Sequence, residues 1–481
     1  MNNARLSILF LIWFTAVVQL CAQSNEIDLP KVIHYGLTTQ FFLKDNRVRV
    51  VAALTIRNTT RKSLQQIPVL LYRLLSVQRV TDGTGAPAEF SQNISQFSDE
   101  PSLQVNAVVV TLPTPLMPND TVKMVISYDG YIFGYPEVMA YAQDKIDETY
   151  SLFRPDALAY PMLASTSFDS YRKAYDTKFT YEIHATVPKS YTAVCGGELI
   201  SSAPAGPDST LFVFHSKIPT WRMDLAVARF NLLRDIQSKL SVYHLAEDSA
   251  GARRVLEASG KVIGFYHGLF GWPKRFYGYT VIEIPDGWGS QASDFYFLQT
   301  AAAFQDSARI NEVYHEIGHT WNAKAAESIA RCRYFDEAFA CYFEALALKE
   351  FYGQDAFLKR VNEYRHKFAE RCKRDKSNGD SPIASYGAKD LGGNSYTKGA
   401  WSLYVLNEVV GDSIFDHIIR SLLADFADTG VDFHAFQALA ERNANRDLKK
   451  FFDEWIYGIE SSRLMNDGTP IETIVKRYRE R

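Results

Sequence analysis

The sequence predicts a multidomain α and β protein, with an N-terminal antiparallel β-sandwich or saddle followed by a mainly helical domain. Three observations predict it. From about residue 25 to about residue 233, short β-branched and aromatic runs recur with turn signals between them. From about residue 241, the apolar spacing changes to that of helices. The length of 481 residues suits two to four domains, and 47% hydrophobic with 22% charged content is ordinary for a packed chain.

Residues 1–22 read as an export signal. Arg5 gives a positive start, Leu6 to Leu20 are mostly apolar, and cleavage is expected after Ala22. The apolar run is too short to span a bilayer easily, and no other run is long enough. Cys21 raises lipoprotein anchoring, but Leu20 before it is larger than such a site prefers. The expected location is periplasmic or secreted, with no integral membrane segment after signal removal. The net charge of −3 argues against nucleic acid as a partner.

The β domain is expected over residues 23–235. Arg47 to Arg57, Val105 to Leu112, Val122 to Tyr128 and Phe179 to Val187 read as its strands. The proline-bounded segment Arg154 to Pro161 is a loop that could face a cleft. The second domain is expected over residues 236–460. In it Ala250 to Phe270 has helical spacing, Tyr277 to Ile284 reads as a strand, and helices follow over Gly411 to Phe426 and Phe433 to Arg442. Residues 461–481 are expected to be a C-terminal tail. Of the four cysteines beyond the signal, Cys341 reads as a buried thiol, and a Cys332–Cys372 pairing stays open alongside Cys195.

The run Tyr314-His-Glu-Ile-Gly-His-Thr-Trp321 carries an H-E-x-x-H motif. On a helix, His315 and His319 fall one turn apart on one face and can grip a single metal ion. Glu316 then points near an open coordination position, where it can take a proton from water as general base. This spacing is a known signature of zinc metallopeptidases. A catalytic zinc usually takes a third protein ligand, and Glu337 in Phe335-Asp-Glu-Ala-Phe-Ala-Cys-Tyr-Phe-Glu344 is the candidate.

With these two segments the chain resembles the gluzincin metallopeptidases, most closely the membrane alanyl aminopeptidase family. That family pairs H-E-x-x-H with a downstream Asn-Glu-Gly-Phe-Ala-x-Tyr-type segment whose glutamate binds zinc. The resemblance implies a thermolysin-like catalytic domain, one Zn2+ per chain on His315, His319 and Glu337, and a peptide or oligopeptide substrate. Seventeen residues separate His319 from Glu337, one fewer than is usual there, which implies a tighter connecting turn. The run His319 to Lys324 also looks like the glycyl aminopeptidase family, whose spacing fits less well.

Gly392-Gly-Asn-Ser-Tyr-Thr-Lys-Gly399 resembles the family's Tyr-x-Lys-Gly segment, which implies an oxyanion-stabilising role for Tyr396. Glu344 shares a helical face with Glu337, and an outer partner of a ligating histidine and an ordinary ion pair are equally good readings of it. Asp336 and Glu312 read as solvated or capping carboxylates.

The family's Gly-x-Met-Glu-Asn segment, whose glutamate binds the substrate's amino terminus, is altered. The matching place reads Asp286-Gly-Trp-Gly-Ser-Gln-Ala-Ser-Asp294, with Gln291 near the glutamate position. Glutamine keeps an acceptor but loses the charge that pairs with an ammonium group. Gly289 and Gln291 are the substrate-binding candidates, with the strand holding an extended peptide by β-addition. Asp447 to Gly458 resembles the end of the family's peptidase domain, and 23 residues follow it. The larger aminopeptidases continue with a helical domain, so a minimal form with a more open cleft is expected.

The expected function is an exported zinc-dependent metallopeptidase, an aminopeptidase or oligopeptidase with altered amino-terminus recognition. The alternatives are a non-peptide hydrolase on the same zinc site, such as one for epoxides or esters, and an inactive peptidase-fold binding protein. Side-chain preference, exo- versus endopeptidase action and oligomeric state are not encoded in these motifs.

Overall fold

The computed structural model describes residues 29–175, 177–273 and 276–479, excluding the side chains of residues 327 and 330. The expected signal and Cys21 lie outside them.

Alternation along the strands builds the N-terminal domain. In Arg47–Arg57 the side chains of Val48, Val50, Ala52, Leu54 and Ile56 are buried, while Arg49, Val51 and Ala53 between them are exposed. This strand lies inside a seven-stranded sheet in the order 198–204, 209–215, 180–188, 31–42, 47–57, 121–131, 75–82. Neighbours are antiparallel except 31–42 and 180–188, which run parallel. A three-stranded antiparallel sheet, 64–72, 104–116 and 89–96, shares its core. All four strands expected from the sequence are present: Arg47–Arg57 with the expected bounds, Thr180–Pro188 shifted by one residue, and Gln104–Leu116 and Thr121–Tyr131 longer at their ends.

The second half is built on a five-stranded sheet ordered 231–235, 240–244, 279–284, 296–300, 291–293. The three central strands are parallel and both edges antiparallel. Strand Asn231–Asp235 pairs with Leu240–His244, so this sheet takes up residues before the expected boundary at 235. The amphipathic helix Ser249–Phe270 makes the crossover from Leu240–His244 to Tyr279–Ile284. The short strand Gln291–Ser293 is left as a sheet edge.

Helices Phe339–Tyr352, Gln354–Arg374, Lys398–Val410, Asp412–Phe426 and Phe433–Ala444 form the remaining core. Residues 461–479 are not a loose tail. They fold into Glu460–Asn466 and Ile471–Arg479, which bury Leu464, Met465, Ile474 and Val475. Among the described residues no helix is long and apolar enough to cross a membrane. The four described cysteines are unpaired.

Candidate active site

His315 and Glu316 sit on the helix Asn311–Gly318, and His319 opens the 3-10 turn His319–Trp321 that continues it. The indole Nε1 of Trp321 donates to the Gly271 carbonyl oxygen at 2.9 Å, pinning the end of this segment to the crossover helix. Glu337 lies in a π-helical turn, Tyr334–Ala338, which leads into the helix Phe339–Tyr352. Such wide turns are uncommon and occur often at functional sites.

The turn carries Glu337 to the two histidines. Its Oε2 is 3.2 Å from His315 Nε2 and 3.8 Å from His319 Nε2. Bonds of about 2.1 Å from a tetrahedral zinc place neighbouring ligand atoms about 3.4 Å apart, between those two values. One ligand atom from each of His315, His319 and Glu337 falls within 4.8 Å of the others. Glu337 Oε2 is buried and accepts no hydrogen bond, a cost that a cation would offset.

The electrostatics agree. Burial alone would lower the pKa of both imidazoles, but Cys341, Glu337 and Glu344 around His315 and Asp336 and Glu337 around His319 raise both. Burial pushes the Glu337 carboxyl up, yet the Arg333 guanidinium paired with it holds it down at about 2. The pocket therefore favours positive charge, and the donor set of two imidazoles and one carboxylate suits zinc.

Glu316 is buried beside this set, and its carboxyl is raised to about 7 because burial outweighs the two histidines. Tyr396 is half-buried at the end of the 3-10 segment Gly392–Tyr396 and stacks on His315, with ring centroids 6.3 Å apart and planes 13° from parallel. Burial and the charge of Glu337 keep its phenol protonated and able to donate. Gly399 brings the two segments together, since a Cβ there would lie 2.9 Å from Ala338 Cβ.

Asp336 is 51% exposed, as expected of a solvated carboxylate, and its Oδ1 also lies 2.7 Å from His319 Nδ1. The π-turn aims it there, and helical periodicity gave no signal for it. Glu344 Oε2 is 3.7 Å from His315 Nδ1, too far for a hydrogen bond, and Cys341 Sγ lies at the same distance. Arg360 and Asn311 hold Glu344, with Asn311 Nδ2 donating at 2.7 Å. Glu312 accepts from Arg309 Nε at 2.6 Å and from Gln299 Nε2 at 3.1 Å.

His315, Glu316, Cys341, Glu344 and Tyr396 line a cleft of ≈ 990 Å³ whose far wall includes Tyr141, Gly287, Gly289 and Ser290. Gly289 has φ +73°, and a Cβ there would come within 2.9 Å of Tyr141 Cβ. Arg154 Nη2 donates to the Trp288 carbonyl oxygen at 2.9 Å and so ties this glycine loop to the β domain. Arg154 itself is fully buried against Asp144 rather than facing the cleft. The Gln291 side chain joins this buried network: Arg222 donates to its Oε1, and its Nε2 donates to Asp156 Oδ1 at 3.3 Å.

Residues 293–455 match the model of the Peptidase family M1 domain. A leucine aminopeptidase 2 from Emericella nidulans is 21% identical over 316 residues, covering 59% of this chain and 49% of that protein, so the chain spans about half of that relative. The M1 zinc metallopeptidase from Deinococcus radiodurans has a similar fold, with a TM-score of 0.65 at 19% identity, covering 91% of this chain and 94% of that one. A mutant form of it bound to a Tyr-Ser-Ala substrate gives 0.61 at 18% identity, covering 92% and 95%. The site segment thus matches the M1 peptidase domain, and the fold of the chain is similar to that of two-domain M1 zinc metallopeptidases.

Proposed function

We propose that this protein is an exported, zinc-dependent peptidase of the aminopeptidase or oligopeptidase kind. The observation that carries the reading is the convergence of His315, His319 and Glu337 on one point, beside a cleft that His315, Glu316 and Tyr396 line. His315, His319 and Glu337 hold the zinc, which when bound supplies Lewis-acid polarisation of the scissile carbonyl. Glu316 takes the proton of the attacking water and passes it to the leaving amine. Its buried carboxyl, raised to about 7, suits both halves of that transfer. The Tyr396 hydroxyl donates to the oxygen that gains negative charge, and so favours the transition state over the ground state.

Amino-terminus recognition is altered. Both polar atoms of the Gln291 amide are engaged by Arg222 and Asp156, and the residue brings no charge of its own to pair with an ammonium group. Gly289 and the edge strand Gln291–Ser293 offer backbone groups to an extended peptide instead.

The test is zinc content together with cleavage of a peptide library offered with free and with acetylated amino termini. One zinc per chain with cleavage of free termini only supports an aminopeptidase. Cleavage of both sets supports oligopeptidase action on internal bonds. Zinc without cleavage moves the assignment to a non-peptide substrate, and absence of zinc to a binding protein.

A further inference from the structure

Most charged side chains lining the cleft are matched. Arg309 is set against Glu312 and Asp286, Arg360 against Glu344 and Glu363, and Glu370 against Lys373. Three cations of the lining have no carboxylate in ion-pair distance among the described residues: Lys367, Arg371 and Arg374. All three are on the helix Gln354–Arg374. Their spacing of four and then three residues puts them on one stripe with Tyr364 and Arg360, which also line the cleft. In a chain of net charge −3, this is a local concentration of positive charge inside the cleft.

Arg371 is half-buried and sits against the Tyr396 segment. A Cβ on Gly393 would lie 2.8 Å from its Nη1, and that nitrogen's acceptor is the neutral Asn394 Oδ1 at 3.5 Å. Three residues of extended chain span at most about 10 Å, so Gly393 lies within that reach of Tyr396. A group held by Arg371 is therefore only a few substrate residues from the cleaved bond.

We infer that Lys367 and Arg371, with Arg374 at the rim, form an anchor for a substrate carboxylate and make this a peptidase for short peptides with a free C-terminus or for peptides with an acidic side chain at that distance. The inference rests on the peptidase reading above. A guanidinium and an ammonium left without a carboxylate give charge-assisted hydrogen bonds to one that arrives with the substrate. The glycine at 393 leaves room for the guanidinium to stay beside the reacting segment.

The test is calorimetric binding to zinc-loaded Glu316→Gln protein of a tripeptide as its free acid and as its C-terminal amide. A third ligand is the tetrapeptide amide with Glu in place of Gln at position three. The acid is expected to bind about tenfold tighter than the amide, with the difference shrinking at high salt. The difference should vanish in the Lys367→Met/Arg371→Met double variant while amide binding stays the same. Tight binding of the Glu-containing amide assigns the anchor to acidic side chains, and its failure assigns it to free C-termini. Equal affinity for acid and amide overturns the anchor alone. Parallel loss of both ligands in a double variant with an unchanged melting temperature also overturns it. No binding of any peptide overturns the peptidase reading with it.

Discussion

Asp336 Oδ1 sits 2.7 Å from Nδ1 of His319, and the next residue in the chain, Glu337, faces the opposite nitrogen of the same ring. Two consecutive acids thus grip one imidazole from both sides. In a regular helix neighbours point about 100° apart. The π-helical turn Tyr334–Ala338 is what lets the pair embrace the ring. With zinc on His319 as proposed, Asp336 would fix the tautomer that leaves Nε2 for the metal.

Asp336→Asn should keep the fold and weaken zinc binding by about 10–100-fold. Competition with a chelator measures it. Unchanged affinity would show that Asp336 does not orient His319.

Glu316→Gln should leave zinc content at the wild-type level and lower turnover by about 10²–10⁴-fold or more, the scale of a lost general base. Metal analysis and single-turnover kinetics on one preparation decide it. Full activity would sink the proton-transfer role.

Tyr396→Phe removes only the hydroxyl and keeps the ring stacked on His315. Turnover should fall by about 10²–10³-fold with little change in KM or zinc content. An unaltered rate would take Tyr396 out of the chemistry.

Lys398 is fully buried, donates to Ser462 Oγ at 2.9 Å, and has its ammonium pushed down to about 7 by burial. The folded chain gives up this proton near pH 7, whereas the unfolded chain keeps it to about 10.5. Between those values the unfolded state binds more protons, so this group's penalty on stability is full below pH 7 and fades as pH rises. Lys398→Met should flatten the rise of the melting temperature between pH 7 and 9, and stabilise at neutral pH by on the order of 2–4 kcal/mol less the lost hydrogen bond. An identical pH slope in the variant would refute it.

Much of this was legible in the chain. The period-two burial of Arg47–Arg57 and the spacing from Ala250 to Phe270 mark their elements to within a few residues. The grouping of His315, His319 and Glu337 was legible because His319 lies one turn beyond His315 and Glu337 lies in the turn that leads into the next helix. What escaped depends on partners distant in sequence. Nothing near Gln291 announces that Arg222 and Asp156 hold its amide, and nothing near Arg154 announces burial against Asp144 and Trp288. The contact of Asp336 with His319 escaped for a different reason, because a π-turn breaks the angular rule by which helical faces are read. The helices of residues 460–479 were hidden by a short, weakly apolar sequence whose burial is supplied by helices elsewhere.

That last pair of helices has a consequence for how the protein fails. Ser462 holds Lys398, and Lys398 stands two residues from Tyr396, whereas His315, His319 and Glu337 hang from other helices. Peeling residues 460–479 away would slacken the Tyr396 segment while His315, His319 and Glu337 stayed together. A warmed or nicked sample could then keep its full complement of zinc and yet be silent, so that metal content would be a poor gauge of competence.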